Sequence, residues 1–137
     1  MIVGVPKETV AGERRVALVP DLVPKLVQAG LEVVVEPGAG EAAGFLDAAY
    51  SEKGARLEAG ALERPDVLLK VQPPSSAELG RIKTGATLIS FLRPYSNFEG
   101  IQALAGRGVT AFSMELMPRI ARAQRSEERR VGKECRL

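Results

Sequence analysis

Residues Glu13-Arg14-Arg15 put two guanidinium groups in a loop ahead of the apolar stretch Val16-Ala17-Leu18. Arginine presents a planar fork of donors that matches a carboxylate or a phosphate, so the segment is a candidate anion clamp; a solvated charged turn is the plain alternative. Lys70 closes the run Val67-Leu68-Leu69-Lys70, and Arg93 follows the apolar run 86–92. A cation just past the carboxyl end of a strand faces the ligand crevice of a doubly wound sheet. Lys70 is therefore a second candidate for binding an anion, although a lysine can also reach water along its apolar stem. Arg93 qualifies on the same ground. Glu115 follows the last apolar run, where a structural ion pair with Arg119 or Arg122 is the commoner outcome for such a carboxylate.

The segment Gly38-Ala39-Gly40-Glu41-Ala42-Ala43 fits a loose G-x-G-x-x-A, with Glu58 about 20 residues downstream in the place of an acidic ribose ligand. It follows what reads as the second strand rather than the first, and no long helix opens at its end. A glycine turn requiring positive φ is the favoured reading. Histidine is absent and the one cysteine is Cys135. No Ser-His or Cys-His arrangement, disulfide or zinc-ligand spacing can be built within the chain.

These groups need strands and loops to aim them. Residues 1–5, 31–35, 66–71, 86–92 and 109–114 are short apolar runs bounded by Pro or Gly, and read as strands. Between them the spacing predicts helices over 21–29, ended by Gly30, and over 47–53, capped by Asp47 and ended by Gly54. A third covers 77–82, capped by Ser75 or Ser76 with Glu78 placed for a capping box. A fourth runs from an Asn97 cap to Arg107, with Gly108 as its stop. Strands alternating with helices of about this length predict an α/β fold, a doubly wound and mostly parallel sheet with helices on both faces. A boundary is expected just after Met117-Pro118, where the alternation ends.

The 137 residues are enough for one domain with its own core, and 45% hydrophobic with 26% charged is ordinary for a globular protein. Residues 1–124 hold 14 Lys plus Arg and 14 Asp plus Glu, so the net charge of +2 comes wholly from residues 125–137, with five basic and three acidic residues. The basic balance is thus no sign of a nucleic-acid or lipid partner. No apolar run approaches the roughly 18 residues of a membrane span, and the start lacks the pattern of a signal peptide, so a cytoplasmic location is the default expectation.

Two stretches resemble a pair of related families. Ile2-Val3-Gly4-Val5-Pro6-Lys7-Glu8 with Arg14-Arg15-Val16-Ala17-Leu18, together with Glu36-Pro37-Gly38-Ala39-Gly40 and Leu69-Lys70-Val71, is similar to alanine dehydrogenase and to the NAD(H)-binding alpha component of proton-translocating NAD(P) transhydrogenase. Ser90-Phe91-Leu92-Arg93-Pro94 and Met114-Glu115-Leu116-Met117-Pro118-Arg119-Ile120-Ala121-Arg122-Ala123-Gln124 look like transhydrogenase. Alanine dehydrogenase would carry a substrate-binding histidine in place of Arg93 and a second lysine in place of Gln72.

The resemblance covers residues 1–124 and implies the first subdomain of a two-subdomain component, with the dinucleotide fingerprint in a second subdomain beyond this chain. It implies direct hydride transfer between NADH and NADP⁺ coupled to proton translocation, with NAD(H) held by the full component and NADP(H) on a partner domain. Arg119 and Gln124 match the loop lining the nicotinamide end of the NAD(H) site. The partners implied are NADP(H)-binding and membrane-spanning components, with a homodimer for the full-length protein and a place at the inner membrane through partner subunits. Alone, the chain is expected to bind NAD(H) weakly or not at all. Two alternatives stand: an alanine-dehydrogenase-like fragment gripping a 2-oxo acid through Arg15 and Lys70, or a non-catalytic folded remnant acting by association. Arg125-Ser126-Glu127-Glu128 departs from the family, and residues 125–137 are expected to be a non-family tail, without regular structure, from a truncation or frameshift.

Overall fold

The structure, a computed structural model, describes residues 1–118 and 120. Six strands form one sheet: β1 (Ile2–Val5), β2 (Glu32–Val35), β3 (Arg56–Leu57), β4 (Val67–Leu69), β5 (Thr87–Ser90) and β6 (Thr110–Ser113). Their order is β3-β2-β1-β4-β5-β6 and every pairing is parallel. The chain therefore starts in the middle, winds outward to β3, returns to β4 and winds outward the other way. Its direction reverses between β1 and β4, the point at which such sheets open a crevice beyond their strand ends.

Four helices cross between strands: α1 (Val23–Gln28), α2 (Asp47–Glu52), α3 (Ser76–Leu79) and α4 (Phe98–Gly106). Side chains alternate along a strand, so Leu68 and Leu69 face opposite layers. Leu69 borders a cluster built on Val5, Val33, Val35 and Tyr50 with α1 and α2, whereas Leu68 joins Leu88, Ile82 and Leu104 under α3 and α4. Both faces of the sheet are thus covered by helices, as expected. A Cβ at Gly4 would run into the Ala61 carbonyl and the Pro65 ring, which is how the long return from β3 to β4 packs tightly across β1.

Several local expectations need correction. Residues 21–29 are a 3₁₀ turn, Pro20–Leu22, followed by α1, whose first turn holds a proline. Asp47 does not cap α2: Leu46 holds the N-cap position, and the Asp47 carboxylate accepts the Gly38 N–H at 2.9 Å instead. Asn97 sits at the N-cap of α4 but its amide nitrogen donates to the Leu92 carbonyl at 3.1 Å. Ser75 is the cap of α3 and makes the full capping box with Glu78. β3 has no counterpart among the expected strands. The outer strand β6 is largely exposed, including Phe112.

Candidate functional site

The carboxyl ends of β1 and β4 are tied by one side chain. Glu8 lies three residues past β1, and its side chain is 5% exposed. Its carboxylate accepts the N–H of Val71 at 2.6 Å and that of Gln72 at 3.3 Å, just past β4. Lys70 is equally buried: its Nζ lies 2.9 Å from Glu78 Oε1 and 3.5 Å from Glu8 Oε2. The stem does not carry the ammonium out to water. Burial acts to raise the Glu78 carboxyl, but the Ser75 N–H and the Lys70 ammonium outweigh it and its pKa is lowered. Sequence reasoning misses Glu8 as a functional group. The only local signal is an acid shortly after a strand-ending proline.

A second set of contacts runs along the rim. Arg15 grips Glu13 through Nε and Nη2, both at 2.9 Å, and Glu13 also accepts the Arg15 backbone N–H at 2.9 Å. The Gln72 amide nitrogen donates to Glu13 at 2.6 Å, and its oxygen accepts from Arg93 Nη2 at 2.7 Å. The Arg15 guanidinium, with help from Gln72, holds the Glu13 carboxyl far below the usual carboxylate range, and Glu13 raises Arg15 in return. Arg93 has φ +52°, a left-handed backbone that is uncommon outside glycine. Glu115 holds it there by accepting the N–H groups of Leu92 and Arg93. Burial raises the Glu115 carboxyl, but backbone N–H donors win and lower it. Glu115 is thus a backbone clamp. Arg119 and Arg122, its other candidate partners, lie outside the described residues, as do Gln124 and Cys135.

A cavity of about 350 Å³ opens beside these groups, walled by Val16, Leu69, Val71, Ile89, Phe91 and Met114, with Arg15 at its edge. The structure brings Arg15, Gln72, Arg93 and Glu115 together at the carboxyl end of the sheet. The glycine segment does something else. Gly38 has φ +78°, and a Cβ at Gly40 would lie 2.7 Å from the Tyr50 ring and 2.8 Å from the Phe45 carbonyl. Only a 3₁₀ turn, Glu41–Ala43, follows. The turn makes room for Tyr50, whose hydroxyl donates to the Leu18 carbonyl at 2.8 Å and is pushed up to about 12, first by burial and then by Asp47. Glu58 is paired with Arg56 at 3.1 Å and Arg64 at 2.5 Å. Among the described residues no acidic, histidine and cysteine group could hold a metal, and no helix is long and apolar enough to cross a membrane.

The family model described as alanine dehydrogenase/PNT, N-terminal domain, matches residues 4–129. An NAD(P) transhydrogenase alpha-subunit chain from Rhodospirillum rubrum is 46% identical over 132 residues, covering 90% of this chain and 34% of its own. An alanine dehydrogenase from Mycobacterium tuberculosis (strain CDC 1551 / Oshkosh) is 38% identical over 118 residues, covering 84% and 32%. The crystal structure of transhydrogenase from Sinorhizobium meliloti superposes with a TM-score of 0.87 at 46% identity, over 90% of this chain and 38% of that one. An L-alanine dehydrogenase structure superposes with a TM-score of 0.78 at 35% identity, over 82% and 32%. The chain spans 34% of the length of the Rhodospirillum relative, about a third.

Proposed function

Since the chain belongs to the alanine dehydrogenase/PNT N-terminal domain family, we propose that it is the N-terminal portion of the NAD(H)-binding alpha component of a proton-translocating NAD(P) transhydrogenase. The observation that carries this reading is its 46% identity to a transhydrogenase subunit over 132 residues, against 38% over 118 for an alanine dehydrogenase. In the complete complex the reaction is direct hydride transfer between NADH and NADP⁺, coupled to proton translocation. The partners are an NADP(H)-binding component and a membrane-spanning component, with the alpha component a homodimer held on the cytoplasmic side of the inner membrane.

The nicotinamide nucleotides supply the redox chemistry, so this chain's share is positioning and electrostatics. Glu8, in the loop after β1, and Glu115 fix the loops after β4 and β5 by their backbone N–H groups, and so set one wall of the crevice. Arg119 and Gln124 are the residues proposed to reach the nicotinamide end. The described residues do not themselves make a phosphate cradle: the glycine turn is packed on Tyr50, and no helix of useful length opens there. We therefore expect the chain alone to bind NAD(H) weakly or not at all.

The test is a hybrid in which residues 1–124 replace the matching third of the Rhodospirillum rubrum subunit. Transfer from NADH to an NADP⁺ analogue in the presence of the partner subunits supports the reading. A folded hybrid that instead oxidises NADH only with pyruvate and ammonium together, releasing alanine and water, would transfer the assignment to alanine dehydrogenase. In that alternative Arg15 and Lys70 would grip a 2-oxo acid, yet each is already paired with a carboxylate, Glu13 and Glu78. The remnant reading rests on exposed Phe112, Leu116 and Ile120. Sedimentation of the chain as a clean monomer would count against it.

A further inference from the structure

The two faces of the sheet are not covered equally. On the face of α1 and α2, Val3, Val5, Val33 and Val35 of β1 and β2 are at most 4% exposed. The parallel register continues that face across β4, β5 and β6 through Leu69, Ile89 and Phe112. Along this row the cover fails: Leu69 and Ile89 are half-buried and Phe112 is 56% exposed. On the opposite face, Leu68 and Leu88 of the same strands are fully buried under α3 and α4. The cause is topological. α1 packs on β2 and α2 on β3, and no described helix crosses β4, β5 or β6 on their side of the sheet. The cavity walled by Leu69, Ile89, Phe91 and Met114 is the hollow this leaves.

An all-parallel sheet is stable with both faces covered, and helices are what cover it. The row from Leu69 to Phe112 crosses two strand spacings, about 10 Å, which is the width of one helix. The Rhodospirillum relative and the Sinorhizobium structure share 34% and 38% of their own length with this chain, so roughly two thirds of such a subunit is left to supply that helix. We propose that the half-face Leu69–Ile89–Phe112 is a docking surface for one amphipathic helix of the same subunit, from the part that follows residue 124, laid over β4, β5 and β6 with its apolar side in the hollow. The layer begun by α1 and α2 is then completed by chain from beyond this stretch. The idea deepens the transhydrogenase reading and rests on it in one respect, that the chain is the N-terminal portion of a longer subunit. A second copy of the chain fits less well, because it would set one hollow against another with no helix to fill either.

The test compares the full chain with the Rhodospirillum rubrum hybrid by hydroxyl-radical labelling of side chains, read by mass spectrometry. In the chain, Phe112 and Leu46, the latter 70% exposed just ahead of α2, are both expected to be labelled. In the hybrid, Phe112 should lose most of its labelling and Leu46 should keep it. Equal labelling of Phe112 in the two proteins, or a loss at Leu46 as large as that at Phe112, overturns the proposal. So does a loss at Phe112 in the chain alone as its concentration rises, with a dimer in sedimentation, which would give the face to a second copy. A benzophenone crosslinker at position 112 of the hybrid should join to a segment beyond residue 124 and yield a product of one-chain mass; a two-chain product overturns the proposal as well. Should that hybrid fail to fold, the same exchange into the Sinorhizobium meliloti protein, also 46% identical, takes its place. Labelling requires neither nucleotide nor turnover. A protected but inactive hybrid therefore counts against the transhydrogenase reading alone, and an active hybrid with Phe112 still labelled counts against this proposal alone.

Discussion

The Glu8 carboxylate accepts the Val71 backbone N–H at 2.6 Å across 63 positions of sequence, and in doing so bridges the two strands between which the chain reverses direction. The same carboxylate lies 3.5 Å from the Lys70 ammonium. Removing one member of a buried charge set leaves the others uncompensated, which is costlier than the net worth of the pair. Glu8→Ala should therefore destabilise the fold by about 3 kcal/mol in urea unfolding. Glu8→Gln, which keeps one acceptor oxygen, should cost about half as much. Equal stability of Glu8→Ala and wild type would remove the bridge from the account.

The acid limit of stability follows from carboxyls lowered in the fold. Glu13, Glu78, Glu115 and Asp66 all lie below their ordinary values, Asp66 chiefly through Lys83 and the Ile2 N–H. A group with a lowered folded pKa contributes stability above its unfolded value, and that contribution is lost as pH falls through the folded value. Stability should be flat from neutral pH down to about 5 and then fall steadily below the ordinary glutamate value near 4.5. Urea midpoints measured from pH 7 to pH 2 check this. Glu78→Gln should flatten part of the fall. Rising stability below pH 4.5 would contradict the assigned directions.

The alkaline limit belongs to Tyr50. Its folded value of about 12 exceeds the ordinary 10, so its contribution is complete below pH 10 and disappears as pH rises towards 12. Ultraviolet titration of the phenolate should show one tyrosine ionising about two units late, and Tyr50→Phe should remove that step. At neutral pH the same substitution loses the bond to the Leu18 carbonyl and should cost about 1 kcal/mol.

The alternation of strands and helices was legible because valine- and leucine-rich runs sit between glycines and prolines that stop them. Leu68 and Leu69 then go to opposite layers by alternation alone. β3 was not legible: Arg56–Leu57 carries no period, and only pairing with Val34 and Val35 makes it a strand. The rim was half legible. Arg15, Lys70, Arg93 and Glu115 stood out by charge beside apolar runs, whereas Glu8 and the linking role of Gln72 depend on partners 59 to 63 positions away. Asp47 looked like a cap because its residue type fits one, but the Gly38 N–H offers it a tertiary partner.

The two glycines of the turn should respond differently to alanine. Gly38 needs its positive φ, but a Cβ there meets first the flexible end of Lys7 at 3.2 Å, so Gly38→Ala should cost about 1 kcal/mol. Gly40 has an ordinary φ of −91° and fails on space, against the Tyr50 ring and the Phe45 carbonyl. Gly40→Ala should cost more, up to about 3 kcal/mol, as overpacking does. Thermal unfolding of both variants checks the order. A turn devoted to a nucleotide would instead lose binding with little change in stability.

Arg93 allows a test in which the usual order of two substitutions reverses. At an ordinary position glycine is less stable than alanine by about 0.5–1 kcal/mol, because its unfolded chain has more freedom to lose. At φ +52° a Cβ carries a cost of about 1 kcal/mol that glycine avoids. Both substitutions remove the guanidinium and leave the buried Gln72 oxygen without Arg93, a loss of about 1 kcal/mol common to the pair. Arg93→Ala should therefore be destabilised by about 1 kcal/mol, whereas in Arg93→Gly the lost bond and the relieved backbone offset each other and only glycine's unfolded-state freedom, about 0.5–1 kcal/mol, is left, so glycine comes out no less stable than alanine. Urea unfolding of the two variants side by side reads the difference directly. If alanine proves the more stable, Glu115 does not hold this backbone in the left-handed region, and the fixed aim of Arg93 towards Gln72 falls with it.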